Sequence, residues 1–372
     1  MPATHELYPF LDTPALVLDL DKMEANIKEM ADVARDAGVK LRPHIKTHKS
    51  PYIAKLQLES GASGITVAKL GEAEVMADAG ITDICVAYPI CGEIKLARLK
   101  KLLEKADISI SLDSIEVARG ISSVGEEIEK QIPILLKINT GLNRCGVLPG
   151  RDALALAEHI APLPGVNLMG ILTHEAQALF QERSLDGVKR SATESGEEMV
   201  KTADLLRSRG INITEVSVGS TPTARYIAYV PGITEIRPGT YIFNDLNCII
   251  AGVATEDTCA VTVLVTVVSI PANNRAIIDG GSKTFSSDML AHQEETGFGY
   301  VIGHPDIIVD HMTEEHGVLK LSNAPERLSI GERLEIMPNH ICPVTNLADK
   351  FYGVRHGLLE REVPILARGK NR

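Results

Sequence analysis

From residue 14 to about 240 the chain alternates between short β-branched apolar runs and stretches whose apolar residues recur every three or four positions. Pro14–Leu20 reads as a strand and Lys22–Ala37 as an amphipathic helix closed by Gly38. Strands are then expected at Val39–Thr47, Ile65–Val67, Ile84–Ala87, Ile108–Leu112, Ile132–Asn139, Val166–Thr173, Ile213–Val218 and Thr234–Arg237. Helices are expected at Pro51–Ser60, Leu70–Ala79, Glu93–Lys105, Ser114–Lys130, Arg151–Ala161 and Leu185–Ser208. Glycine after a helix, followed by a short apolar run, marks the return of the chain to a parallel sheet. Repeated strand–helix alternation implies right-handed crossovers. Eight β-runs between Val39 and Arg237 favour a closed (β/α)8 TIM-type barrel over an open sheet. The glycine fingerprint of a dinucleotide fold does not follow the first of them.

Beyond residue 240 the helical period fades. Cys259–Ile270, Ala276–Asp279, Gly317–Leu321, Glu332–Met337 and Tyr352–Arg355 are strand-like and punctuated by Gly, Asn and Pro. The expected fold class is therefore α/β, a barrel with a C-terminal β domain. Residues 1–20 are expected to supply a strand to the β domain, which a lone strand needs for stability. Residues 21–240 would form the barrel and residues 241–372 the β domain.

Composition narrows the function. With 44% apolar and 23% charged residues, the 372-residue chain has enough apolar surface to fold, which excludes a disordered protein. Its 49 acidic residues outnumber 38 basic ones, so a nucleic-acid partner is not expected. Trp is absent, and 6 Phe and 8 Tyr offer few stacking platforms. No apolar run approaches the ~18 residues of a membrane span, so no membrane partner is expected. The opening Met-Pro-Ala-Thr-His-Glu-Leu lacks a basic region followed by an apolar one, so no leader is expected. Six cysteines without paired spacing point to a reducing, cytoplasmic setting.

Three constellations could carry chemistry. The first barrel strand runs into Arg42-Pro43-His44-Ile45-Lys46-Thr47-His48-Lys49, where His44, Lys46 and His48 would share one strand face. A lysine at the carboxyl end of a barrel strand, desolvated and near other cations, becomes a nucleophilic amine suited to Schiff-base chemistry. A solvated basic turn is the other reading of the same octet. The seventh strand runs into Gly219-Ser220-Thr221-Pro222-Thr223 and the eighth into Arg237-Pro238-Gly239-Thr240-Tyr241. Loops in these two places often hold a phosphate through backbone N–H groups. Together with the lysine they point to a phosphorylated carbonyl cofactor, pyridoxal phosphate. Finally, Pro338-Asn339-His340-Ile341-Cys342-Pro343 places imidazole and thiol two residues apart on a strand-like segment. Such a pair can converge on one metal and suits zinc better than magnesium. A satisfied histidine beside a buried cysteine fits the spacing as well.

Thr13–Asp19, Arg42–Lys49, Gly219–Thr223, Arg237–Tyr241 and the late His-x-Cys resemble the D-serine dehydratase/D-threonine aldolase family, a branch of the fold-type III, alanine-racemase-like pyridoxal phosphate enzymes. The resemblance runs from about residue 10 to 360 and implies the same barrel and β domain. It implies that Lys46 carries the cofactor and acts as the base, that Arg144 lies near the cofactor's phenolic oxygen, and that His174 stacks on its ring. It places Arg237 at the pyridine nitrogen and Ser220, Thr221, Gly239, Thr240 and Tyr241 at the phosphate. It makes His340 and Cys342 the metal ligands. D-threonine aldolases carry a carboxylate where this chain has Cys342, a harder ligand suited to Mn or Mg, so the cysteine favours zinc and dehydration. The activity so implied is a metal-assisted lyase on D-3-hydroxy amino acids that yields a 2-oxo acid and ammonia. Retro-aldol cleavage to glycine and an aldehyde, racemisation, and non-catalytic carriage of the cofactor are the alternatives. The family also implies a head-to-tail homodimer.

Overall fold

The computed structural model describes residues 7–181, 184–290, 297–321 and 328–372. The leader-free reading of residues 1–6 lies outside them. In chain order the strands are β1 Ala15–Asp19, β2 Lys40–Leu41, β3 Ile65–Val67, β4 Asp83–Val86, β5 Asp107–Leu112, β6 Ile132–Lys137, β7 Val166–Leu172, β8 Glu215–Val218, β9 Glu235–Ile236, β10 Val261–Ala272, β11 Arg275–Ile278, β12 Gly299–Val301, β13 Ile308–Met312, β14 Gly317–Lys320, β15 Arg333–Pro338, β16 Lys350–Arg355 and β17 Leu358–Pro364. The chain divides into two compact units. One holds Ile27–Lys46, Pro51–Gly239 and Lys370–Arg372; the other holds the chain up to Asn26, Thr47–Ser50 and Thr240–Gly369.

The first unit is α/β. Its eight strands form a curled parallel sheet in the order β2-β9-β8-β7-β6-β5-β4-β3. Between the two outer strands, Ser63 N donates to Leu41 O and Thr66 N to Pro43 O, both at 2.8 Å, and His44 bridges Thr66. Central strands such as β6 are buried along nearly their whole length, as both faces of a parallel sheet are covered. Helices fall between the strands where local signals put them. Ser114 and Ser184 accept from Val117 N and Gly187 N and so open the helices Ile115–Glu127 and Leu185–Ser208. Gly38, at φ +70°, ends the helix Leu20–Ala37 in a left-handed turn that costs other residues a steric clash.

One expectation is corrected here. The strand read over Val39–Thr47 is only two residues long, because Pro43 has no N–H to give a ladder and Ile45–Thr47 winds into a 3-10 turn. His44, Lys46 and His48 therefore do not share a strand face.

The second unit is antiparallel except where β1 pairs in parallel with β16. Its nine-stranded sheet runs β11-β14-β13-β12-β15-β10-β1-β16-β17, and an added β10–β11 pairing closes six of the strands into a ring. β1 lies between β10 and β16, with Val17 opposite Thr262 and Tyr352. Strands β12, β13 and β17 escaped the sequence reading. β12 has three residues, β13 carries Asp310 and His311, and β17 is an exposed edge bearing Glu360, Arg361 and Glu362. An edge strand needs only one partner and no apolar face, so it carries no period-two signal. The unit's core includes Phe351, buried with its ring 5.1 Å from that of Phe243.

Truncating Phe351 to alanine leaves a cavity beside Phe243 and is expected to cost about 3–5 kcal/mol. Urea unfolding should show a lowered midpoint with an unchanged slope.

Candidate active site

Five side chains or loops lie at the carboxyl ends of the parallel strands, where such folds gather their chemistry. Lys46 sits in the 3-10 turn after β2, and Lys137 ends β6. His174 lies two residues past β7, Gly219 follows β8 and Arg237 follows β9. Burial, then Lys46 and then Arg237, hold the His44 and His174 imidazoles well below their usual range. Arg144 adds to this at His174, although its own side chain is exposed. Both rings are therefore neutral in a field of cations. Lys46, Arg144, His174 and Arg237 are thus electrostatic neighbours.

Arg237 is buried, and its described hydrogen bonds go to uncharged oxygens: Nε to Ser217 Oγ at 2.7 Å, and Nη2 to the Thr173 carbonyl. Burial pulls even this guanidinium down. A buried arginine whose described hydrogen bonds go to neutral acceptors, with Glu235 and Glu175 acting on it only through space, suits a guest that offers a basic nitrogen. The pyridoxal phosphate reading passes this test.

The loops read as phosphate binders are both buried, but they are engaged differently. Ser220 N donates 2.7 Å to Glu175 Oε1, and its hydroxyl lies 2.9 Å from Thr223 Oγ1. Thr221 is buried beside it, and Gly239 is buried after β9. In the other unit Tyr241 is wholly buried, and the Thr240 hydroxyl lies 3.9 Å from Cys342 Sγ.

His340 and Cys342 are not on a strand, which corrects the expectation. β15 stops at Pro338, His340 caps the helix Ile341–Leu347, and Cys342 is in its first turn. Pro343 fits there because first-turn N–H groups lack helical partners. Asp245 fixes the turn: it is fully buried, caps Leu246–Ile250 by accepting from Cys248 N at 3.1 Å, and accepts from Ile341 N at 3.2 Å. The two side chains still meet. Partial burial opposes charge on His340, but the Cys342 sulfur and a hydrogen bond to Asp288 raise it well above the usual range. Asp288 Oδ2 holds His340 Nδ1 at 2.9 Å, which leaves Nε2 for a metal. Thr47, the residue after Lys46, places its hydroxyl 3.3 Å from Cys342 Sγ. Among the described residues no third His, Cys, Asp or Glu completes a metal cage. Two protein donors of borderline softness fit a catalytic divalent metal that keeps open positions.

His48 belongs elsewhere. Its Nδ1 accepts from Ser50 N at 3.1 Å and its ring stands edge-on to Phe243. Sequence reasoning missed Lys137, Glu175, Asp245 and Asp288. The strand-end argument that selected Lys46 would have selected Lys137 and Glu175. Nothing local marks Asp288, which is 52 positions from His340.

A curled parallel sheet joined to an antiparallel β unit is an alanine-racemase-like fold. The model "Alanine racemase, N-terminal domain" matches residues 18–246, and "Putative serine dehydratase domain" matches residues 260–354. The chain is 34% identical to the D-threonine aldolase of an Arthrobacter species over 366 residues, covering 97% of this chain and 94% of that protein. It is 36% identical to the D-threo-3-hydroxyaspartate dehydratase of Delftia sp. (strain HT23) over 349 residues, 89% and 91% of the two. A cysteine-to-alanine variant of D-threo-3-hydroxyaspartate dehydratase in the metal-free form superposes with TM-score 0.88 at 33% identity, covering 95% of this chain and 97% of that one. The chain belongs to the D-serine dehydratase/D-threonine aldolase family of alanine-racemase-like enzymes.

Because His44 and His174 stay neutral when folded, the unfolded chain binds protons that the folded chain does not, once the pH falls below about 6.5. Stability is therefore full above that pH and declines below it. The melting temperature of His174→Gln is expected to fall less than wild type between pH 7.5 and 5.5.

Proposed function

We propose that this protein is a pyridoxal phosphate-dependent, metal-assisted lyase that converts D-configured 3-hydroxy amino acids to a 2-oxo acid and ammonia. The observation that carries the reading is the His340–Cys342 pair, held by Asp288 and Asp245, in a chain whose Lys46 lies among buried cations. One of the similar solved structures is a cysteine-to-alanine variant of a dehydratase in its metal-free form, which is in keeping with a metal in that relative.

When bound, pyridoxal phosphate supplies an electron sink for the substrate's α-carbon, and the divalent metal, zinc by its ligands, supplies a Lewis acid for the 3-hydroxyl. Lys46 would hold the cofactor through its amine, and the same amine, when free, would take the α-proton on one face, which would set the D-selectivity. His174 is held neutral, so it can cover the ring without adding charge. Arg237 keeps its protons and so leaves the ring nitrogen unprotonated. Arg144 would lie near the phenolic oxygen. Ser220, Thr221, Gly239, Thr240 and Tyr241 hold the phosphate. His340 and Cys342 hold the metal, and Asp288 fixes the imidazole. Loss of the α-proton and of the hydroxyl as water gives an enamine, whose hydrolysis returns that water and releases ammonia.

We read residues 21–240 as the cofactor-binding domain and residues 241–372, with 1–20, as the metal-binding β domain. The Leu41–Ser63 and Pro43–Thr66 hydrogen bonds support closure of the parallel sheet into a (β/α)8 barrel. All six cysteines are free, which supports a cytoplasmic setting. A head-to-tail homodimer completes the proposal, and a monomer in the sedimentation profile of an active sample would remove it. Retro-aldol cleavage is the second reading, favoured by the likeness to D-threonine aldolase over nearly the whole chain.

Incubation with D-threonine separates the two: 2-oxobutanoate and ammonia are expected, whereas glycine and acetaldehyde would establish the aldolase. Lys46→Ala is expected to abolish turnover and borohydride labelling, and full activity in that variant would refute the lyase mechanism. Asp288→Ala should weaken metal binding by about 10–100-fold, read by metal titration.

A further inference from the structure

We propose that Glu175 is the positioning residue of the Gly219–Ser220 loop and that, through this loop, it sets the protein's preference for the phosphorylated form of its aldehyde cofactor. The inference rests on the pyridoxal phosphate reading above.

Glu175 follows His174 at the carboxyl end of β7 and is wholly buried. Its Oε2 accepts from Gly219 N at 3.1 Å and its Oε1 from Ser220 N at 2.7 Å, and Thr223 Oγ1 donates to Oε1. On the other side of the same glycine, His174 Nδ1 donates to Gly219 O at 3.4 Å. Two consecutive residues thus hold both ends of Gly219. The loop has no slack there. Gly219 has φ +112°, and a Cβ on it would stand 2.8 Å from Arg237 N.

A buried carboxylate is retained only where donors and charge match it. Here its described donors are N–H and O–H groups of one loop, and its charge is felt by Arg237. Two adjacent backbone N–H groups turned toward one carboxylate make an anion-holding concavity filled from within the chain. The loop's shape is consequently set before any phosphate arrives, which lowers the ordering cost of binding one. A carboxylate that only stabilised the fold would affect a phosphorylated and an unphosphorylated ligand alike. One that shapes the phosphate loop affects the phosphorylated ligand selectively.

The test uses the full-length protein, stripped of cofactor and titrated separately with pyridoxal phosphate and with pyridoxal, following absorbance. Wild type is expected to prefer the phosphorylated ligand. Glu175→Gln keeps the volume but replaces one acceptor by a donor, and Thr223→Val removes the hydroxyl. Each is expected to weaken pyridoxal phosphate about tenfold or more, the factor for losing a hydrogen bond to a charged group, while pyridoxal affinity changes little. Thr223→Ser, which keeps the hydroxyl, should retain the wild-type ratio. If both ligands weaken together, or if the ratio is unchanged in Glu175→Gln and Thr223→Val, the positioning role is overturned. If wild type binds neither ligand, the cofactor reading fails and takes this inference with it.

Discussion

The α/β unit depends on one constraint: several cations are gathered where the parallel strands end. Lys46, Lys137 and Arg237 stand there with Arg144, and the imidazoles among them respond by staying neutral. Burial pushes Lys137 down for the same reason. A region of this sign repels further protons and attracts an anion. Its own remedy is sparing, since Arg237 leans on a hydroxyl and a carbonyl rather than on a carboxylate. The cofactor proposed above would answer this charge with its phosphate.

The β unit solves a different problem. His340 and Cys342, two residues apart, meet without the alternation of a strand. The strand ends at a proline, and the next turn of backbone becomes a helix start that a buried aspartate anchors. Imidazole and thiol then meet because His340, at the N-cap, keeps an extended backbone, whereas residues two apart inside a helix would face different sides. Asp288 removes the remaining freedom of the imidazole. The metal proposed above, held by two such donors, would keep positions open for a hydroxyl and a water.

Dehydration would break the bond to the α-proton and then the C–O bond at the third carbon, whereas retro-aldol cleavage would take the proton of the hydroxyl and break the bond between the second and third carbons. The lysine, the neutral histidine and the arginine serve both. Relatives named for each activity share more than a third of the aligned residues with this chain.

Local pattern was enough for much of this molecule. The strand–helix alternation gave seven of the eight parallel strands nearly in place, and the helix Leu185–Ser208 was legible to its end residues, because a serine cap and a 3.6-residue period are properties of neighbours in the chain. Lys46 and Arg237 were singled out by residue type and by their place after a parallel strand, which the structure keeps, whereas the strand expected to carry His340 and Cys342 is a helix start. What neighbours could not reveal was decided by packing. A proline cut the first parallel strand short, an edge strand of charged residues was recruited by its partner, and Asp288 came to His340 across 52 residues. Glu175 shows the division most plainly: its place after a strand is written in the chain, but its hold on a loop 44 residues away exists only because the curled sheet sets adjacent strand ends side by side, where hydrogen-bond reach replaces sequence distance.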